Sequence, residues 1–315
     1  MQRRLSKCLL RVNKSWRRNY FLHMPTTQEG NNNSWGGASF DVPPLFYSDT
    51  MKYPLHRDSE GRWVHDWVRQ SSIKTADMCL ERFRNTIFGL VSEEIKDAAT
   101  LGTACHAVAE DALNTRKAGG EMTEQDHIDS FEMYWDEALP TIQVWNSYSP
   151  ESAYVEGLRK VESWRTEVLP QLAPVEVEEY FDLTFHEDDN RVVKFSGTID
   201  LVEEDRLWDW KFPSRDYSRD RWQYERWDVQ SMAYCWAKDI PNFSYAIMHP
   251  KGVGRMDIVR DKSHTEWLRQ KVLGLCHIVE SEMTKYPLGD DGWWCSEKWC
   301  PAWTRCKGAI IGGAK

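Results

Sequence analysis

The stretch GTIDLVEEDRLWDWKF, residues 197–212, constrains the chain more than any other. It holds two short apolar runs separated by a charged turn, EEDR, and so reads as a pair of β-strands. Asp200 interrupts the first run, and Asp209 and Lys211 interrupt the second. Burying unpaired charge is costly, so strands that serve only a core do not carry three such groups. Side chains alternate across a strand, which puts Asp209 and Lys211 on one face and Trp208 and Trp210 on the other. Pairing across the turn then sets Asp200 beside Asp209. Two carboxylates meeting there form an oxygen-rich site for a hard cation, Mg²⁺ or Mn²⁺. A lysine one pleat away orients a water or steadies developing negative charge. These are the groups that phosphodiester hydrolysis needs. The plainer alternative is a solvated hairpin with a cross-strand ion pair.

The pattern around this stretch sets the fold class. SSIKTADMCLERFRNTIFGL, AATLGTACHAVAEDALNTRKAGG, HIDSFEMYWDEAL and ESAYVEGLRKVESWRTEVLPQL have helical spacing, the second stopped by glycines at 119 and 120. PVEVEEYFDLTF, VVKFSGTIDLVEE and RLWDWKFP then read as strands, DVQSMAYCWAK as a helix, FSYAIMHP and RMDIVR as strands, and HTEWLRQKVLGLCHIVESEM as a long amphipathic helix. This order predicts one α/β domain around a central mixed β-sheet flanked by helices, ending in a cysteine-rich segment.

Periodic sequence begins near residue 71, so the expected domain is 71–315, with 1–70 a basic, low-complexity tail or loosely docked segment. Residues 1–23 carry seven Lys and Arg and no acid, so the remainder is near −16 (−9 less +7). The leader reads as an organellar transit peptide, as a basic arm for nucleic acid, or as untranslated sequence ahead of Met24, the last being the plainest. Residues 24–60, rich in Asn, Gly, Ser and Pro, bury little surface. No apolar run reaches the 18 or more residues of a membrane span, so no membrane partner is expected. The net charge of −9 excludes a protein that coats nucleic acid with its whole surface, though not one with a local groove.

GTIDLVEEDRLWDWK resembles the G-x-x-D followed by D-x-K of the RecB-like branch of the PD-(D/E)XK nuclease superfamily. That branch includes the nuclease domains of RecB and AddB and the fourth CRISPR-associated (Cas) protein, an exonuclease. Ile199 stands where the superfamily has proline, and Asp209 where many relatives have Glu. Three further pieces follow in the family's order. GTACHAVAEDAL is similar to its upstream helix, which implies His106 as a metal ligand. VEVEEYFDL is similar to its glutamate-bearing strand, which implies Glu178, with Glu179 as the rival. QSMAYCWA is similar to its Q-x-x-x-Y helix, which implies Gln230 and Tyr234, on one helical face at i and i+4. The resemblance spans roughly residues 71–308 and implies a restriction-endonuclease-like core. In it, His106, Asp200, Asp209 and the Trp210 carbonyl hold the metal, and Lys211 positions or activates water. Gln230 and Tyr234 orient the substrate or the lysine. Taken singly, His106 would be a packing histidine, Glu178 and Gln230 surface residues, and Tyr234 core.

Cys295, Cys300 and Cys306 form C-x4-C-x5-C near the end of the chain. A tetrathiolate site needs a fourth ligand, and Cys79 in the first helix is the best candidate. One cysteine far upstream and three at the end resemble the iron–sulfur staple of AddB and of the CRISPR-associated exonuclease. That implies a [4Fe–4S] cluster. Zn²⁺ is the alternative, and disulfides a third. Cys105, Cys235 and Cys276 lie among apolar residues and read as small hydrophobes.

Residues 213–228, PSRDYSRDRWQYERWD, interleave Arg215, Arg219, Arg221 and Arg226 with aromatics that include Trp222. Arginines neutralise phosphates and aromatics stack on unpaired bases, so this strip reads either as a DNA contact or as a loop of mixed charge. The expected function is a metal-dependent DNA exonuclease acting on single-stranded or duplex ends in recombination, repair or phage DNA metabolism. It would work in the cytoplasm of a bacterial or phage-infected cell. No G-x-x-x-x-G-K-[ST] is present, so any motor would come from a partner helicase or recombinase. The alternatives are a non-catalytic DNA-end-binding partner on the same scaffold and a restriction-type endonuclease.

Overall fold

The computed structural model describes residues 55–214, 228–281, 283–289, 292 and 294–307. Seven strands make one mixed sheet: β1 (Leu55–Arg57), β2 (Trp63–Val68), β3 (Glu176–Glu187), β4 (Arg191–Val202), β5 (Arg206–Lys211), β6 (Asn242–His249) and β7 (Gly252–Val259). Their order is β1-β2-β4-β5-β6-β7, with β3 paired to β4 off that path. The β2–β4 and β5–β6 pairs are parallel and the others antiparallel. Among the described residues, seven α-helices flank the sheet: α1 (Gln70–Met78), α2 (Leu80–Ile87), α3 (Asp97–Lys117), α4 (Glu124–Ala138), α5 (Pro150–Ser163), α6 (Val229–Lys238) and α7 (Lys262–Glu280). The mixed sheet between helices is the architecture that the change of hydrophobic period predicts.

Local chemistry sets the helix ends. Thr123 and Asp126 form a reciprocal capping box at the start of α4, and Ser149 followed by Pro150 opens α5. Past the end of α3, Gly119 takes a left-handed φ of 82°, which a glycine adopts without strain.

The alternation of β5 splits the core in two. Leu207 joins Ile199, Phe195 and Tyr245 beneath α1, α2, α6 and α7. Trp208 and Trp210 join Leu201 and Met248 beneath α3, α4 and α5. Asp209 and Lys211 therefore point toward the first layer and the tryptophans toward the second.

Two local features differ from the sequence expectation. Among the described residues, the sheet includes two strands, β1 and β2, that precede the 71–315 domain expected from the sequence. Strand β2, WVHDWV, lies parallel beside β4 and is buried on both faces, which hides its alternation. The helix expected across 71–90 is interrupted at Cys79, whose extended backbone (φ −167°, ψ 122°) separates α1 from α2. Among the described residues, no helix is long and apolar enough to cross a membrane.

Candidate active site

The site lies where β4 and β5 part. Strand β3 runs along one edge of β4, and β2 takes the first half of the other edge. Strand β5 reaches only the last residues of β4, pairing Leu201 with Trp208 and Val202 with Leu207. One step further in that register sets Asp200 against Asp209. There the ladder is replaced by a side chain: Asp200 Oδ2 accepts the N–H of Trp210 at 2.7 Å.

Helix α3 brings His106 to this fork. Its Nδ1 lies 3.4 Å from Asp200 Oδ2, and its ring packs edge-on against Phe212 with centroids 5.2 Å apart. The Trp210 carbonyl accepts a hydrogen bond from the same ring. Strand β3 brings Glu178, which sits at φ 49°, a left-handed conformation that a non-glycine residue adopts at a cost of about 1–3 kcal/mol. Ligand atoms of His106, Glu178 and Asp200 all lie within 4.8 Å of one another. The neighbouring Glu179 instead forms an ion pair with Lys238. Of the two rival glutamates, Glu178 is the one at the cluster.

Asp209 and Lys211 complete the arrangement. Lys211 Nζ is 2.6 Å from Asp209 Oδ2, and the side-chain amide of Gln230 donates to Asp209 Oδ1. Gln230 Oε1 in turn accepts from Lys211 and from Lys74 of α1, each at 3.4 Å. Tyr234, one turn along α6, is buried edge-on to Phe181. Opposite them, Gly197 lets the two rings approach: a Cβ there would press at 3.0 Å on the Phe181 ring and 3.1 Å on that of Tyr234.

Electrostatically the site is overloaded with acid. Burial, then the charges of Asp209 and Glu178, push the Asp200 carboxyl well above its usual range. Burial, then Glu110 and Asp209, push Glu178 up to about 8. Burial also raises Asp209, against the pull of Lys211. Burial alone would lower the Lys211 ammonium, yet Asp209 and Asp200 hold it above its ordinary value. Burial and the Lys211 charge keep His106 neutral, the form that ligates metal. Hard oxygens with one imidazole suit Mg²⁺ or Mn²⁺, and a divalent cation would relieve the repulsion.

The PD-(D/E)XK nuclease superfamily pattern matches residues 68–307. The chain belongs to this superfamily. Membership makes this chain a nuclease of a family that uses divalent metals, with DNA the substrate the family implies. Among solved structures, that described as the crystal structure of SSO0001 is similar at 14% identity, covering 63% of this chain and 93% of its own, with a TM-score of 0.33. No curated protein matches.

In this nuclease the cysteines of the two chain regions also come together. Cys79, Cys295, Cys300 and Cys306 line one cavity with Arg82, Gly289 and Lys307. The break between α1 and α2 turns Cys79 toward it. The Gly289 N–H donates to Cys79 Sγ at 3.2 Å, and a Cβ there would come 2.8 Å from the Met78 carbonyl oxygen. All four cysteines are free of disulfides. Cys105, Cys235 and Cys276 are buried elsewhere, and burial pushes the Cys105 thiol up to about 12, which leaves no thiolate for nucleophilic chemistry.

Arg215, Arg219, Arg221, Trp222 and Arg226 lie outside the described residues. Three groups at the site were not singled out from the sequence: Glu110, Asp228 and Lys74. Glu110 follows His106 by four residues on α3, a spacing that signals a shared face. Asp228 caps α6 two residues before Gln230. Lys74 carries no local signal, because only the packing of α1 on α6 brings it in.

Proposed function

We propose that this nuclease is a Mg²⁺- or Mn²⁺-dependent exonuclease that degrades DNA from single-stranded or frayed ends. The observation that carries the reading is the meeting of His106, Glu178 and Asp200 within 4.8 Å, beside the Asp209–Lys211 pair. His106, Asp200, Asp209 and the Trp210 carbonyl would hold the cation, with Glu178 as a further acid. When bound, the cation supplies Lewis acidity at the phosphate and lowers the pKa of a bound water.

The chain's own groups do the rest. Lys211 is held as an ammonium by Asp209 and Asp200, so it donates hydrogen bonds. It orients the attacking water and steadies charge on the phosphoryl oxygens rather than removing a proton. Gln230 fixes the Asp209–Lys211 pair by bonding both. Tyr234, raised well above its ordinary value by burial and then by Asp209 and Asp200, stays a neutral phenol that supports the helix face behind the lysine.

The exonuclease assignment rests on the cysteine staple, which resembles that of AddB and of the CRISPR-associated exonuclease. We propose a [4Fe–4S] cluster on Cys79, Cys295, Cys300 and Cys306. The Gly289 backbone held against Cys79, where no side chain fits, favours a site built for a group. A zinc tetrathiolate on the same four cysteines is the alternative. The Arg215–Arg226 strip, beginning just beyond Lys211 and Phe212, would guide the strand. In this reading the protein works in the cytoplasm of a bacterial or phage-infected cell with a partner helicase or recombinase.

The test is cleavage of end-labelled linear DNA, single-stranded and duplex, against closed circular DNA, in Mg²⁺, Mn²⁺ and EDTA. The reading predicts metal-dependent loss of linear DNA alone. Cleavage of circles indicates an endonuclease, and binding without cleavage indicates a non-catalytic scaffold. Iron and sulfide analysis of anaerobically purified protein tests the cluster.

A further inference from the structure

We infer that Lys74 is a second substrate-binding cation of the active site, taking a phosphate oxygen of the bound DNA strand next to the one handled by Lys211. The inference rests on the nuclease reading above.

Helix α1 follows β2 directly and carries Lys74 on its second turn, across from the start of α6. Its Nζ lies 3.3 Å from Asp228 Oδ1 and 3.4 Å from Gln230 Oε1. Both contacts exceed the ordinary span of an N–H···O bond, about 2.7–3.2 Å. Lys211 differs: its 2.6 Å contact commits it to Asp209. Asp228 is already served, since its Oδ2 accepts the Ser231 N–H at 2.8 Å and the Tyr245 hydroxyl at 2.6 Å.

Exposure points the same way. The Lys74 side chain is 40% exposed and that of Asp228 is 2% exposed. The ammonium therefore stands on the solvent side of the network, loosely held, with its stem packed inward. Its charge reaches the centre of the site, where it helps keep Asp209 ionised.

The charge balance gives it work to do. Asp200, Asp209, Glu178 and Glu110 act on one another within the site. A phosphodiester brought to them is repelled unless cations face it. Lys211 is engaged by Asp209, so Lys74 is the ammonium in the Gln230 network that can turn to the strand without breaking a tight pair. Arg69, at the cap of α1, carries a further guanidinium along β4, with Nε 3.2 Å from Ser196 Oγ. The plainer alternative is that Lys74 merely ties α1 to α6 through Asp228.

The experiment measures single-stranded DNA binding by fluorescence anisotropy over a salt series in Ca²⁺, and steady-state cleavage in Mg²⁺, for wild type, Lys74→Met and Lys74→Arg. One lost phosphate contact on a single strand lowers the slope of log K against log salt by about 0.7. Lys74→Met is expected to show that loss, with binding about tenfold weaker at 0.1 M salt and the defect in cleavage falling on KM more than on kcat. Lys74→Arg is expected to restore slope and KM. A Lys74→Met protein with the wild-type slope and KM, or with a defect in kcat alone, overturns the inference and leaves Lys74 as a tie between helices. A wild type that neither binds nor cleaves DNA overturns the nuclease reading itself, and the inference with it.

Discussion

Lys211 Nζ stands 2.6 Å from Asp209 Oδ2, and the two residues are neighbours on one face of the same strand. Asp209 is buried and Lys211 half-buried, and Gln230 bonds both members. Replacing Lys211 removes the donor that would orient water and leaves the rest of the cluster in place. Lys211→Met is expected to lower single-turnover cleavage by about 10³-fold, the scale of a lost electrostatic stabiliser, with DNA affinity within about tenfold of wild type. Quench-flow on end-labelled DNA checks the first figure and anisotropy the second. Undiminished cleavage excludes the role.

Glu178 links the site to stability. Its carboxyl is raised from an ordinary 4.5 to about 8, so the folded, metal-free protein holds a proton there that the unfolded chain releases. A raised carboxyl contributes full stability below 4.5 and loses it as pH rises through 8. Glu178→Gln keeps the neutral shape at every pH. In EDTA at pH 8 it is expected to raise Tm by roughly 3–6 °C over wild type, with little difference at pH 5. It should also reduce the rise in Tm that Mn²⁺ gives the wild type. Calorimetry at the two pH values checks both; a Glu178→Gln protein whose Tm rises with Mn²⁺ as much as the wild type's excludes Glu178 as a ligand.

His65 is the second titrating position, remote from the site. It is fully buried: Trp67 Nε1 donates to its Nδ1 at 2.9 Å, and its Nε2 donates to Glu280 Oε1 at 2.8 Å, so the ring is neutral. Burial holds it below its ordinary 6.5. Protonating Nδ1 would cost the Trp67 bond. The contribution is therefore present above pH 6.5 and is lost as pH falls from 6.5 toward the lowered folded value. Wild-type Tm is expected to fall more between pH 7 and pH 5.5 than that of His65→Gln. Parallel curves for the two proteins exclude this account.

At the cysteine cavity, Gly289→Ala forces a methyl to within 2.8 Å of the Met78 carbonyl and 2.9 Å of Cys79 Cβ. The backbone at Gly289 must withdraw, which takes its N–H from Cys79 Sγ. The expected result is an iron content at least threefold below wild type and a Tm lower by several degrees, since binding free energy of such a group is folding free energy. Unchanged iron content excludes Gly289 as part of the site.

How much of this was legible in the sequence depended on how local each signal is. Asp209, Lys211 and the flanking tryptophans share one strand, and the period of two alone sorts them to two faces. Gln230 and Tyr234 share a helix face by spacing of four. Glu178 was separable from Glu179 only in three dimensions, through the left-handed backbone that turns one toward Asp200 and leaves the other to Lys238. Strand β2 was missed because burial on both faces erases alternation, and it includes a buried histidine whose partner, Glu280, lies 215 residues away. Lys74 was missed for the same reason: its partners, Asp228 and Gln230, meet it only through packing. The break at Cys79 was hidden because ADMCLERF has unbroken helical spacing, and the departure serves the cavity rather than the helix.

The most direct measurement is anomalous diffraction from crystals grown with Mn²⁺. The account predicts a peak about 2.2 Å from ligand atoms of His106 and Asp200, with Glu178 and Asp209 turned toward it, and the loss of that peak in Asp200→Asn. Saturating Mn²⁺ that leaves this position empty, or that binds elsewhere with cleavage intact, contradicts it.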